Sequence, residues 1–138
     1  MARILCIDYG GKRTGIAVTD PFKIIATGLT TVDSNELIFF LKKYFSQEEV
    51  ELIVIGEPKN LDDSDTHATP LVKEAIKKLQ KEFPHIPIQT VDERFTSKMA
   101  KQAMIDMGMK KKDRQNKRTV DEIAATMMLQ EYLQFHYH

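Results

Sequence analysis

The chain has 138 residues, of which 42% are hydrophobic and 29% charged, the composition of one ordinary globular domain over residues 1–138 that buries a core without staples. Twenty basic and 20 acidic side chains cancel, so the chain as a whole is no polycation. One cysteine, Cys6, excludes an internal disulfide, and the lack of a membrane-length apolar stretch or a signal-like start leads us to expect a cytoplasmic protein without membrane association.

The first third reads as strands. Ile4 to Asp8 is an apolar run ending in an acid, with Cys6 inside it as a packing residue. Gly10-Gly11-Lys12-Arg13 turns the chain into a second β-branched run, Thr14 to Thr19, so the pair predicts a hairpin. Asp20-Pro21-Phe22 turns it again, and Ile24 to Val32 supplies a third strand interrupted by Gly28. Short connections make these three antiparallel neighbours.

Helices and strands then alternate. Asp33-Ser34-Asn35-Glu36 carries the capping chemistry of a helix start, and Leu37, Ile38, Leu41, Tyr44 and Phe45 form its apolar stripe. Leu52 to Ile55 is a strand closed by Gly56-Glu57-Pro58, and Lys59 to Thr69 is a polar loop. Thr69-Pro70 predicts an N-cap and first helical residue, followed by the stripe Val72, Ala75, Ile76, Leu79 and Phe83. Ile88 to Val91 is the last strand. Thr96 caps a helix with Met99 or Ala100, Ala103, Met104 and Met107 on its apolar side, and Gly108 ends it. Thr119 and Glu122 form a capping box for a final helix led by Ile123, Ala124, Met127 and Met128. The order βββαβαβαα implies a mixed five-stranded sheet flanked by helices, in the α/β class.

Asp8 ends the first strand, Asp92 and Glu93 end the last, and Asp121 lies in the first turn predicted for the final helix. Sites in open α/β sheets form at the carboxyl ends of parallel strands, so these acids converge if the two strands are parallel and central. Clustered carboxylates repel unless a cation holds them, and an all-oxygen site favours Mg²⁺ or Mn²⁺ over zinc. Two such ions about 4 Å apart activate water and stabilise the leaving oxygen of a phosphodiester. Taken singly, each acid also reads as a loop residue or a helix cap, and Asp121 as a partner of the helix dipole.

Lys110, Lys111, Lys112, Arg114, Lys117 and Arg118 fall within nine residues opposed only by Asp113, a local charge of +5 that leaves −5 elsewhere. Such a run is often solvated surface, but here it immediately precedes Asp121, where it would neutralise phosphates and guide a nucleic-acid backbone. Arg94 would orient Glu93 or touch substrate, or make a structural ion pair. The four histidines do not sit at zinc-ligand spacing, and no Walker loop, dinucleotide fingerprint or nucleophile elbow is present.

Four segments together resemble one family. Ile7-Asp8-Tyr9-Gly10-Gly11-Lys12-Arg13-Thr14-Gly15-Ile16-Ala17, Gly56-Glu57-Pro58-Lys59-Asn60, Asp92-Glu93-Arg94-Phe95-Thr96 and Asp121-Glu122-Ile123-Ala124-Ala125 resemble, in order and spacing, the motifs of the YqgF/RuvX family of Holliday-junction-resolvase-like proteins and pre-16S ribosomal RNA nuclease candidates. The resemblance implies an RNase H-like sheet of order 3-2-1-4-5 with strand 2 antiparallel. It also implies metal-binding and catalytic acids at Asp8, Glu93 and Asp121, with Asp92 a secondary neighbour. Glu57 stands where the family has an apolar residue, and Asp62-Asp63-Ser64 where it has Asp-Gly-Ser or Asp-Gly-Thr. Both departures bear on loop shape or substrate contact rather than on the three acids.

The function expected is a Mg²⁺- or Mn²⁺-dependent endonuclease, monomeric or homodimeric, that matures the 5′ end of 16S ribosomal RNA precursor. The alternatives are a Holliday-junction resolvase acting on DNA and a non-catalytic nucleic-acid-binding or ribosome-assembly module. An actin-like ATPase lobe also carries an Asp-x-Gly turn, but it needs a second lobe for which this chain has no residues.

Overall fold

Alternating burial along five apolar runs produces one sheet in the computed structural model, which describes residues 2–57, 69–92, 102–106, 108–111 and 116–137. Its strands are β1 (Arg3–Tyr9), β2 (Arg13–Thr19), β3 (Ala26–Asp33), β4 (Val50–Glu57) and β5 (Ile88–Asp92). They lie in the order β3-β2-β1-β4-β5. β2 runs antiparallel to both of its neighbours, whereas β4 is parallel to β1 and to β5. The mixed sheet, its order and the antiparallel second strand are those expected.

Each face buries alternate residues of the strands, as the pleat dictates. On one face Leu5, Ile7, Ile16, Ile53 and Ile55 pack with Leu37 and Leu41 of α1 (Leu37–Phe45) and Val72 and Leu79 of α2 (Thr69–Glu82). On the other, Ile4, Cys6, Ala17 and Val54 pack against Ala125, Met128, Leu129, Tyr132 and Leu133 of α3 (Lys117–Tyr137). Cys6 is wholly buried there, a packing residue as expected. Among the described residues no helix is long and apolar enough to cross a membrane.

Several local expectations give way to specific interactions. β3 begins at Ala26, not Ile24, because the Asp20 carboxylate accepts the backbone N–H groups of Phe22, Ile24 and Ile25 at 3.0, 2.8 and 2.8 Å, which closes a turn around them. Ile24 and Ile25 are left exposed. Asp33 makes no side-chain cap. A 3-10 turn over Ser34–Glu36 precedes α1, and Asp33 pairs instead with Arg118. α3 starts before Thr119, since Asn116 Oδ1 accepts the backbone N–H groups of Arg118 and Thr119 at 3.0 and 3.4 Å. Asn116 is therefore the N-cap, and Asp121 sits beyond the first turn. The buried stripe of α3 is rotated as well: Ala124, Ala125, Met128 and Leu129 are covered, whereas Ile123 and Met127 lie on its flank.

Gly108 does end a helical segment, with φ +76°. Its N–H bonds to Ile105 O at 2.9 Å and that of Met109 to Met104 O at 3.1 Å, the paired bonds of a Schellman motif. Met104 is fully buried, whereas the proposed cap Thr96 and the stripe positions Met99, Ala100 and Met107 lie outside the described residues.

Candidate active site

Asp8 follows Ile4 and Cys6 onto the α3 face of β1 and is partly exposed at the strand's carboxyl end. Its in-register partner on β2 is Gly15. A Cβ at Gly15 would stand 2.0 Å from Asp121 O and 2.4 Å from its carbonyl carbon, so the α3 backbone rests directly on that glycine. Asp8 and the backbone of Asp121, 113 positions apart in the numbering, are thus both neighbours of Gly15.

A second glycine completes the seat. Gly28 pairs with Ala17, and a Cβ there would lie 2.5 Å from Glu122 Oε1. The β2–β3 register shifts between Ile16 and Ala17, so Ala17 faces Gly28 whereas Ile16 faces Thr30. The extra residue, Leu29, resets the alternation. Gly28 and Thr31 then both face α3, where Thr31 Oγ1 donates to Arg118 O at 2.6 Å.

Asp121 does not stand alone. Arg13, two residues before Gly15 and on the same face, places Nε 3.0 Å from Asp121 Oδ2, with each side chain about a quarter exposed. An ion pair this exposed contributes about 0–1 kcal/mol, so it orients the carboxylate without sequestering it from a divalent cation. Sequence reading did not assign Arg13 to the site. The available signal was its period-two spacing from Gly15, the residue facing Asp8.

The other expected residues fare differently. Asp92 follows Ile88 and Thr90 onto the face of α1 and α2, opposite Asp8. Glu93, Arg94, Lys112 and Arg114 lie outside the described residues. Lys110, Lys111 and Lys117 are exposed. Arg118 is held: Nη2 is 2.6 Å from Asp33 Oδ1, and Nη1 donates to Thr31 O at 3.1 Å. Among the described residues no three His, Cys, Asp or Glu side chains converge as a metal cage. Asp8 and Asp121, both partly exposed, carry the carboxylate oxygens that a hard cation takes.

A family model for RuvX, described as a Holliday junction resolvase, matches residues 2–135. The chain belongs to the RuvX family. A relative from Christiangramia forsetii, named "Putative pre-16S rRNA nuclease", is 56% identical over 133 residues, 96% of this chain and 98% of its own. One of the same name from Phocaeicola vulgatus is 53% identical over 134 residues, 97% of this chain and 96% of its own. Among solved structures, T. thermophilus RuvC in complex with a Holliday junction substrate superposes with a TM-score of 0.57 at 11% identity, covering 99% of this chain and 98% of that one. That likeness concerns the fold, and the RuvX chain has the RNase H-like architecture its motifs imply.

Proposed function

We propose that this RuvX-family chain is a single nuclease domain, residues 1–138, that hydrolyses phosphodiester bonds in structured RNA, with 5′-end maturation of 16S ribosomal RNA precursor in the cytoplasm as its task. The observation that carries the reading is that Gly15, the in-register partner of Asp8 at the carboxyl end of β1, is also the seat of the Asp121 backbone. The names of relatives more than half identical over nearly the whole chain supply the substrate class.

Asp8 and Asp121 would hold Mg²⁺ or Mn²⁺, with Glu93, which follows β5 in sequence, as the third carboxylate. Bound there, the cation would lower the pKa of an attacking water and neutralise charge on the leaving oxygen. Arg13 would keep the Asp121 carboxylate in place. Lys110, Lys111, Lys112, Arg114 and Lys117 would neutralise substrate phosphates, and Arg94 would touch substrate or steady Glu93.

A second reading, resolution of four-way DNA junctions by a homodimer, draws on the description of the matched family. One experiment separates the two: precursor ribosomal RNA and a four-way junction are incubated side by side, with and without Mn²⁺, using wild type and Asp8→Asn. Metal-dependent cutting of RNA, lost in a folded Asp8→Asn, is the expected result. Paired symmetric cuts confined to the junction would transfer the assignment to DNA, and cutting that survives in Asp8→Asn would overturn the site. Metal-independent, salt-sensitive binding without cleavage would make the chain a binding module.

A further inference from the structure

Arg13, the partner of Asp121, also lines an open cavity of about 540 Å³, bounded with it by Gly11, Lys12, Asp33, Asn35 and Arg118. Its walls are fixed. Ser34 Oγ donates to Gly10 O at 2.5 Å, Ser34 N–H donates to Lys12 O at 2.9 Å, and buried Thr14 shares a 2.8 Å hydrogen bond with Ser34 Oγ. Gly10 is required by this turn, because a Cβ would stand 2.6 Å from Arg13 O. The far wall is the start of α3, locked to β3 by Arg118 and capped by Asn116.

Three cations face one carboxylate in this cavity. Asp33 is already paired with Arg118, and Arg13 spends Nε on Asp121. Among the described residues, the terminal nitrogens of Arg13 and the Lys12 ammonium have no acceptor, and Lys12 is exposed. A rigid concavity with surplus positive charge and unspent N–H donors suits a phosphate-type anion. Arg13 both lines this cavity and holds Asp121, so the cavity and that carboxylate share one side chain.

We propose that this cavity seats a backbone phosphate of the nucleic acid next to the phosphodiester being cut, with Lys12 as its principal cation. The inference deepens the nuclease reading and rests on it. A charged contact to a non-scissile phosphate would fix the register of the strand over Asp8 and Asp121 without reading sequence.

The test measures binding in the cleavage-silent Asp8→Asn background. Kd for a structured RNA and for a four-way DNA junction is followed from 50 to 200 mM salt, with and without Lys12→Ala. One lost phosphate contact lowers the slope of log K against log salt by about 0.7–0.9 and weakens binding about 5- to 8-fold at 0.1 M salt. Lys12→Arg should restore both values, whereas loss of the exposed Lys81 on α2 should change neither. A slope change on RNA, on the junction or on both supports the seat and identifies the polymer that uses it. An unchanged slope with Lys12→Ala, or an equal change with Lys81→Ala, overturns the seat while leaving the nuclease reading intact. Failure of Asp8→Asn to bind either polymer would bring down both.

Discussion

Substituting Gly15 by alanine should damage the fold and the candidate active site through one displacement. The added Cβ would lie 2.0 Å from Asp121 O and 3.0 Å from Glu122 N. A close Cα–H···O approach between packed elements is about 3.3 Å, so α3 must retreat by about 1.3 Å at this point. The obstruction is backbone against backbone, so no rotamer relieves it. Overpacking of this kind costs about 1–3 kcal/mol, and a gap of about 1 Å opened under Ala125 and Met128 adds lost dispersion contacts, giving about 2–4 kcal/mol in total. The matched control is Gly28→Ala, whose Cβ meets the Glu122 side chain at Oε1 and Cγ rather than backbone. That flexible carboxylate swings aside, and the loss should stay below about 1 kcal/mol. Urea unfolding followed by circular dichroism measures both. Cleavage at a temperature where Gly15→Ala is still folded should fall by about 100-fold, because Asp121 moves with α3 relative to Asp8. Equal midpoints for Gly15→Ala and wild type would refute the claim that α3 is seated on this glycine, and with it this account of how Asp121 is placed.

Arg13→Ala removes the partner of Asp121 and should lower stability by no more than about 1 kcal/mol while lowering cleavage about 10- to 100-fold. Wild-type cleavage in this variant would deny Arg13 any positioning role. Asn116→Ala should lower stability by about 0.5–2 kcal/mol through loss of the α3 cap, read as a shifted urea midpoint at constant slope, whereas Thr119→Ala should do less at this terminus. Asp20 is held below its ordinary pKa of 3.8, chiefly by the N–H of Ile25 and further by those of Ile24 and Phe22. A depressed folded pKa gives stability that is complete above that ordinary value, which holds in the unfolded chain, and is lost as pH falls through the folded value. The stability advantage of wild type over Asp20→Asn should therefore shrink from pH 5 towards pH 2, and an advantage that grows in acid would contradict the turn geometry.

The elements that sequence predicts well are those whose periodicity is set by burial alone. β1, β2, β4 and β5 and the stripes of α1 and α2 fall where apolar spacing puts them, because each buries one face of a regular element. The misplaced boundaries share a different cause, a single polar side chain choosing between equivalent local partners. Asp20 captures N–H groups that would have extended β3, and Asn116 caps α3 ahead of a plausible Thr119–Glu122 box. Asp33 looks like a cap in its own segment, yet it is held by Arg118 at the other end of the chain. Local sequence carries no record of such long-range competition, and the Arg13–Asp121 pair, separated by 108 positions, was hidden for the same reason.

The glycines show how fold and candidate site depend on each other. Gly15 stands inside a strand, where glycine costs roughly 0.5–1 kcal/mol relative to alanine. Gly28 occupies the facing strand beside a bulge, a second local weakness. Neither helps the sheet taken alone. Both are accounted for by α3, whose backbone and Glu122 side chain occupy the space that a Cβ would fill at each. A larger residue at Gly15 would hold α3, and Asp121 with it, off the sheet. The bulge at Leu29 then turns Thr31 and Asp33 towards α3, where they fix Arg118 and the wall of the cavity that Arg13 lines. The weakest positions of β2 and β3 are thus the ones that let the terminal helix, and Asp121 with it, settle onto the sheet.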